Sequence, residues 1–172
     1  NAVLWMLAWN PHAQANLERE LAARGIGKER VFWAPKLPLA KHIARLRVAD
    51  MFLDTWPCNA HTTASEALWA GVPVLTVPGA TFASRVAASL VTACGLPDLA
   101  AADEDSYVHL AVALAQEPAT LQGLKQHLDS QRMSLPLFDS DQYARDYEAL
   151  LQRMFDREQA GLPPDHLLAG GG

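Results

Sequence analysis

Cysteine is scarce, long apolar runs are missing, and positive charge is in deficit. The two cysteines, Cys58 and Cys94, make neither a metal-ligand spacing nor a disulfide framework. Such sparing use of cysteine fits a reducing, cytoplasmic setting. No stretch approaches the roughly 18 to 20 apolar residues that cross a bilayer, so no membrane partner is expected. With 14 Lys and Arg against 19 Asp and Glu, the net charge is −5. Duplex nucleic acid usually calls for a basic stripe, so it is not expected as a partner. A nucleotide stays open, because a few local donors hold a small ligand. The first strand–helix turn, Asn10-Pro11-His12-Ala13, lacks the glycine fingerprint of a dinucleotide-dependent dehydrogenase. The opening Asn1-Ala2-Val3-Leu4-Trp5 has neither the basic flank nor the cleavage site of a signal peptide. It starts directly on an apolar strand, which reads as a sequence beginning inside a longer protein. The closing Gly170-Gly171-Gly172 reads as a flexible end or a cloning scar.

What is present is globular. Half of the 172 residues are hydrophobic and 19% are charged, enough for one domain with a substantial core. Residues 3–9 form an apolar run of strand length, and residues 13–24 carry Leu17 and Leu21 at helical spacing before Gly25. Val31-Phe32-Trp33 reads as a second strand, and residues 39–49 as a helix with Ile43 and Leu46 inward. Met51-Phe52-Leu53 is a third strand, residues 62–70 a helix, Val74-Leu75-Thr76-Val77 a fourth strand, and residues 82–93 a helix. Strands without polar alternation, separated by helices, predict an α/β fold with a Rossmann-like doubly wound parallel sheet, buried on both faces. Ligands of such sheets sit beyond the carboxyl ends of the strands, here the loops 10–13, 34–38, 54–63 and 78–84. From about residue 101 the chain turns helical. Tyr107, Leu110, Ala111 and Leu114 share one face, residues 118–134 form a further helix, and Asp139-Ser140-Asp141-Gln142 opens a last one with Tyr143, Tyr147, Leu150 and Met154 inward. The whole, residues 1–172, reads as a single lobe, with a sheet part over about 1–100 and a helical tail over about 101–160.

Chemistry concentrates between strands three and four. A helix opening on His61-Thr62-Thr63 offers unpaired backbone N–H groups, about half a positive charge, two hydroxyls and an imidazole. Those donors suit phosphate oxygens without a glycine-rich loop. Glu66, one turn on, would be repelled by an anion and makes sense as an acceptor for hydroxyls beside it, such as a ribose diol. The plainer alternative is a capping box, with Thr62 or Thr63 as N-cap and Glu66 completing it. On the helix after strand two, His42 and Arg45 share a face. They suit stacking on a planar base and bonding its edge, or else form a solvated helix face. Cys58 either lines a small pocket or is a buried structural cysteine. Ser84-Arg85 either help close the site or cap a helix. His12, His109, His127 and His166 show no paired ligand spacing, and no metal site is expected. No residue is a credible general base.

Three stretches, Cys58-Asn59-Ala60-His61-Thr62-Thr63, Leu68-Trp69-Ala70-Gly71-Val72-Pro73 and Ala83-Ser84-Arg85-Val86-Ala87-Ala88-Ser89, resemble the C-terminal catalytic lobe of O-GlcNAc transferases, bacterial ones in particular. Pro136-Leu137-Phe138, Gln142-Tyr143 and Pro164-Asp165-His166 extend the likeness over nearly the whole chain. The resemblance implies the C-terminal lobe of a GT-B glycosyltransferase. It implies inverting, metal-independent transfer of N-acetylglucosamine from UDP-GlcNAc to Ser or Thr hydroxyls of proteins, with no cofactor and UDP as product. It further implies that His61, Thr62 and Thr63 hold the diphosphate, Thr62 and Thr63 stabilising the leaving phosphate. Glu66 would bind the ribose, His42 would stack on uracil, Arg45 would meet its edge with backbone near Leu37, and Cys58 would sit by the N-acetyl group. Two positions depart from the family pattern: Leu39 stands where a nucleoside-contacting lysine is usual, and Ala60 where a glycine is. The remaining catalytic residues, an N-terminal lobe and a tetratricopeptide superhelix are expected upstream. Two other readings are a UDP-GlcNAc 2-epimerase-like enzyme on the same fold, and a non-catalytic UDP-binding or protein-docking module.

Overall fold

In the computed structural model, which describes residues 2–167, strands and helices alternate as the apolar pattern predicts. The terminal Gly170-Gly171-Gly172 run lies outside the described residues. Strand β1 (Leu4–Leu7) pairs in parallel with β2 (Val31–Ala34), Leu4 opposite Val31 and Leu7 opposite Ala34. Strand β3 (Phe52–Leu53) pairs in parallel with β4 (Val74–Leu75). Just beyond β4, Thr76 forms a parallel bridge to Ala100, adding a further extended segment the apolar pattern did not reveal. The α/β alternation and parallel pairing are those of a Rossmann-like lobe, but the hydrogen bonds divide into two two-stranded sheets instead of one continuous sheet. Pro73 precedes β4 and lacks an N–H for the ladder, while Asp54 and Thr76, just past β3 and β4, turn their side chains on each other.

Helix α1 (Pro11–Ala23) starts where the Asn10 side chain accepts from the His12 and Ala13 amides, and the chain leaves it through Gly25 at φ 76°. Helix α2 (Leu39–Leu46) is shorter than the spacing predicts, with Leu46 buried and Ile43 half-buried as expected. Helix α3 (Thr62–Trp69) ends before Gly71, whose φ of 82° few other residues adopt. The expected helix over 82–93 is broken. Phe82–Ser84 make a 3-10 turn held by a reciprocal Thr81–Ser84 capping box, and α4 runs only over Val86–Ala93. The tail comprises α5 (Glu104–Gln116), α6 (Pro118–Gln131) and α7 (Ser140–Gln159). Tyr107 and Leu114 are buried, and Leu110 and Ala111 half-buried, on the predicted face of α5.

Two burial expectations fail. The face of α7 expected to point inward is exposed: Tyr143 69%, Tyr147 52% and Met154 53% are open, and only Leu150 is half-buried. Helical spacing defines a face but not its neighbour, and α7 has no fully buried residue. The β1–β2 sheet is likewise not buried on both faces, since Phe32 is 55% exposed and Trp9 beyond β1 is 72% exposed. The tightest packing lies elsewhere. Leu68 of α3, Val72 after it, Val74 and Leu75 of β4, Val91 of α4 and Leu128 of α6 are fully enclosed. The best-anchored part of the molecule is therefore the α3–β4 unit, which also carries the polar loop.

Burial has a titration consequence. The Tyr107 phenol is pushed up to about 12, mainly by desolvation and secondarily by the nearby Asp54 charge, and burial raises the Cys94 thiol to about 11. Both groups are neutral when protonated, so the folded chain keeps protons that the unfolded chain releases near 10.0 and 9.0. Their stabilisation is full below those values and is lost as pH rises through the folded ones. Urea unfolding is expected to show a loss of about 2 kcal/mol per group between about pH 8 and pH 12. Tyr107→Phe, which removes one titration, is expected to flatten that slope; an unchanged slope would contradict the assignment.

Candidate donor-binding site

The polar loop begins at the end of β3 and is closed on itself. Asp54 Oδ1 accepts from the Ala60 amide at 2.6 Å, Thr55 Oγ1 donates to Cys58 O at 3.1 Å, and Asn59 Nδ2 donates to Thr55 O at 3.0 Å. The Asn59 amide donates to Ala83 O at 2.8 Å, joining this loop to the one after β4. The Gly79 amide, on that second loop, donates to Ser84 O at 2.7 Å. A Cβ at Gly79 would collide with the Ser84 side chain. Gly79→Ala is expected to destabilise the protein by about 1–3 kcal/mol, the usual range for overpacking, read from the denaturant midpoint at constant slope. Ser84 is buried and acts as a cap, the second of its two sequence readings, while Arg85 is exposed.

His61 is the residue before the first turn of α3, and its side chain makes no cap bond. Its ring lies edge-on to Phe82, and Nε2 donates to Ala83 O at 3.3 Å, since a carbonyl only accepts. Thr62 and Thr63 are the first two helical residues, both exposed, and their hydroxyls have no partner among the described residues. The amides of residues 62 to 64 precede the first helical bond, Ser65 N to His61 O, so they point outward unpaired. No acidic residue lies in that turn. These facts dispose of the capping-box alternative. With the cap at residue 61, Glu66 lies beyond the third helical position a capping box requires.

Glu66 turns instead to the neighbouring helix. Its Oε2 lies 3.4 Å from His42 Nε2, both side chains being about a quarter exposed or less. His42 Nδ1 faces Arg45 Nη2 at 3.4 Å. A guanidinium only donates, so His42 Nδ1 accepts and Nε2 carries the proton toward Glu66. Arg45 also donates to Pro35 O at 2.8 Å and lies 5.2 Å over the Trp5 ring, while its buried Nε has no partner among the described residues. Glu66, His42, Arg45 and the 34–38 loop thus form one connected line beside the open end of α3. Leu37 is half-buried in that loop, and Leu39 is exposed at the start of α2. Cys58 is exposed rather than a buried structural cysteine, and Cys94 is the buried thiol. Sequence reasoning passed over Asp54, Asn59, Thr76 and Tyr107. The one available signal was an aspartate at the point where an apolar strand becomes a polar loop. Among the described residues no group of three or more His, Cys, Asp or Glu is placed to hold a metal ion. Among them, too, no helix is long and apolar enough to cross a membrane.

A helix N-terminus with free hydroxyls at the carboxyl edge of a parallel sheet, flanked by an imidazole–carboxylate pair, places the chain in a class by its architecture: a Rossmann-like lobe. Comparison with known proteins makes the assignment specific. The chain belongs to glycosyl transferase family 41, whose profile matches residues 1–147. It is 35% identical over 166 residues to the UDP-N-acetylglucosamine–peptide N-acetylglucosaminyltransferase of Caenorhabditis elegans, covering 96% of this chain and 14% of that protein. It is 34% identical to the probable enzyme of the same description, SEC, from Arabidopsis thaliana, covering 96% of this chain and 17% of that one. A solved structure of a mutant O-GlcNAc transferase from Thermobaculum terrenum superposes with a TM-score of 0.85 at 32% identity, covering 93% of this chain and 32% of that chain. The fold is therefore that of a GT-B lobe, and the chain spans well under half the length of these relatives.

Proposed function

We propose that this chain is the donor-binding lobe of an inverting, metal-independent transferase that moves N-acetylglucosamine from UDP-GlcNAc to Ser or Thr hydroxyls of proteins. The observation that carries this reading is the open start of α3, where unpaired amides and the unpartnered Thr62 and Thr63 hydroxyls lie next to the His42–Glu66 pair. In the reaction, the bond from the sugar anomeric carbon to the UDP phosphate oxygen breaks as the acceptor oxygen bonds to the opposite face. The electron pair stays with the phosphate, and Thr62, Thr63 and the α3 amides stabilise that growing charge. His61 lines the same opening, Glu66 accepts from the ribose, and His42 presents its ring to the uracil. Arg45 and the backbone near Leu37 border the base, and Cys58 borders the N-acetyl group. The acceptor proton goes to a base outside this chain.

The whole of residues 1–172 acts as one lobe of a longer, cytoplasmic protein, facing an N-terminal catalytic lobe with tetratricopeptide repeats. The exposed apolar residues Phe32, Trp9, Tyr143 and Tyr147 support that partnership. Calorimetric titration of the full-length protein with UDP, UDP-GlcNAc and NAD tests the reading. UDP and UDP-GlcNAc are expected to bind and NAD not to bind. A protein that ignores UDP would end the proposal, and release of a free sugar epimer without modified protein would replace it with epimerisation.

A further inference from the structure

Asp54 is 3% exposed, yet no cation pairs with it among the described residues. Every polar group it has is used by a neutral donor or acceptor. Oδ1 accepts from the Ala60 amide at 2.6 Å, and Oδ2 accepts from Thr76 Oγ1 at 2.7 Å. Its carbonyl accepts from the Tyr107 hydroxyl at 2.9 Å, and its amide donates to Leu75 O at 3.0 Å. A buried carboxylate is disfavoured by desolvation, and an apolar side chain would fill the same space without that cost. What the carboxylate supplies is direction: two acceptors aimed at two separate parts of the chain.

We infer that Asp54 is a positioning residue for donor binding, setting the 55–60 loop so that the first turn of α3 points its amides and threonine hydroxyls at the diphosphate. This rests on the reading proposed above. Ala60 is the residue immediately before His61, so fixing its amide fixes the direction in which the chain enters the helix. Thr76, fully buried just past β4, is the rigid reference, and Tyr107 ties the same point to α5 while its ring packs edge-on against Trp56 of the loop at 5.2 Å. The β3 end, the β4 end, the tail and the donor loop therefore meet at one residue, its side chain holding Ala60 and Thr76 and its backbone carbonyl holding Tyr107. A misplacement of about 1 Å at a reacting group typically lowers rate by about 100-fold. Buried as it is, Asp54 acts through Ala60 and the helix start.

The test uses Asp54→Ala, Asp54→Asn and Thr76→Val in the full-length protein. Hydrogen exchange at the amides of residues 55–63, UDP calorimetry and steady-state kinetics are measured on each. Asn keeps an acceptor for the Ala60 amide and offers an N–H to the Thr76 hydroxyl, so it is expected to retain near-normal loop protection and kcat. Ala is expected to speed loop exchange and lower kcat by about 100-fold. Thr76→Val, which removes one of the two anchors and keeps the shape, is expected to fall between them and serves if the Ala variant does not fold. Unchanged loop exchange and kcat in both Asp54→Ala and Thr76→Val would overturn the inference, as would Asn proving no better than Ala. Wild-type protein that fails to bind UDP, with the loop still loosened by Asp54→Ala, would instead overturn the donor assignment and leave the hold on the loop standing.

Discussion

Thr62→Ala and Thr63→Ala are each expected to lower kcat of the full-length enzyme by about 100- to 1000-fold, with a much smaller change in KM for UDP-GlcNAc. The two hydroxyls stand at the first two positions of α3 and have no partner among the described residues. In the ground state the diphosphate already carries charge and is shared among several donors. As the glycosidic bond breaks, further charge moves onto the departing phosphate, and a donor aimed there gains strength only then. Loss of one such donor typically raises the barrier by about 2.7–4 kcal/mol. Because both residues are exposed, their truncation changes stability by no more than about 0.5 kcal/mol, so a fall in kcat would not reflect unfolding. Steady-state kinetics with a peptide acceptor decide it. A wild-type kcat in both variants would remove the threonines from the reaction, and a rise in KM alone would make them ground-state contacts.

The sequence conveyed the parts of this molecule that depend on local pattern. Apolar runs and their helical spacers foretold the α/β alternation, and the Tyr107–Leu114 face of α5 packs as its spacing predicts. Pattern failed where a partner had to be known. The Tyr143–Met154 face of α7 is as periodic as that of α5 but lies open. The sheet divides into a β1–β2 pair and a β3–β4 pair, and just past the second pair Asp54 and Thr76 bond through their side chains across 22 positions, a contact that no local rule reveals. The site was legible in its residue types and obscure in its register. Whether His61 or Thr63 caps α3 is a shift of two residues, below the resolution of periodicity. Yet that shift decides whether Glu66 closes a capping box or faces His42, and the backbone places it against His42. Asp54 was invisible because the partners of its side chain, Ala60 and Thr76, and of its backbone carbonyl, Tyr107, come from three separate parts of the chain.

Glu66→Ala is expected to weaken UDP binding by about 1.5–3 kcal/mol, or roughly 10- to 150-fold in Kd, the range for hydrogen bonds to a charged group. Two physical roles are available to the carboxylate. Oε2 faces His42 Nε2 at 3.4 Å, while Oε1 has no partner among the described residues and is free to accept from a ribose hydroxyl. A double cycle separates them: wild type and Glu66→Ala are each titrated with UDP and with an analogue lacking both ribose hydroxyls. If the carboxylate binds the ribose, removing the acid and removing the hydroxyls delete the same interaction, so the two losses are strongly non-additive. If Glu66 acts only by holding the His42 ring, the variant weakens both ligands equally and the losses add. Non-additivity is the expected result. The reason is electrostatic: a carboxylate one turn from a diphosphate site opposes binding of the anion unless it is engaged by donors on the ligand itself, and the His42 contact alone engages only one of its two oxygens.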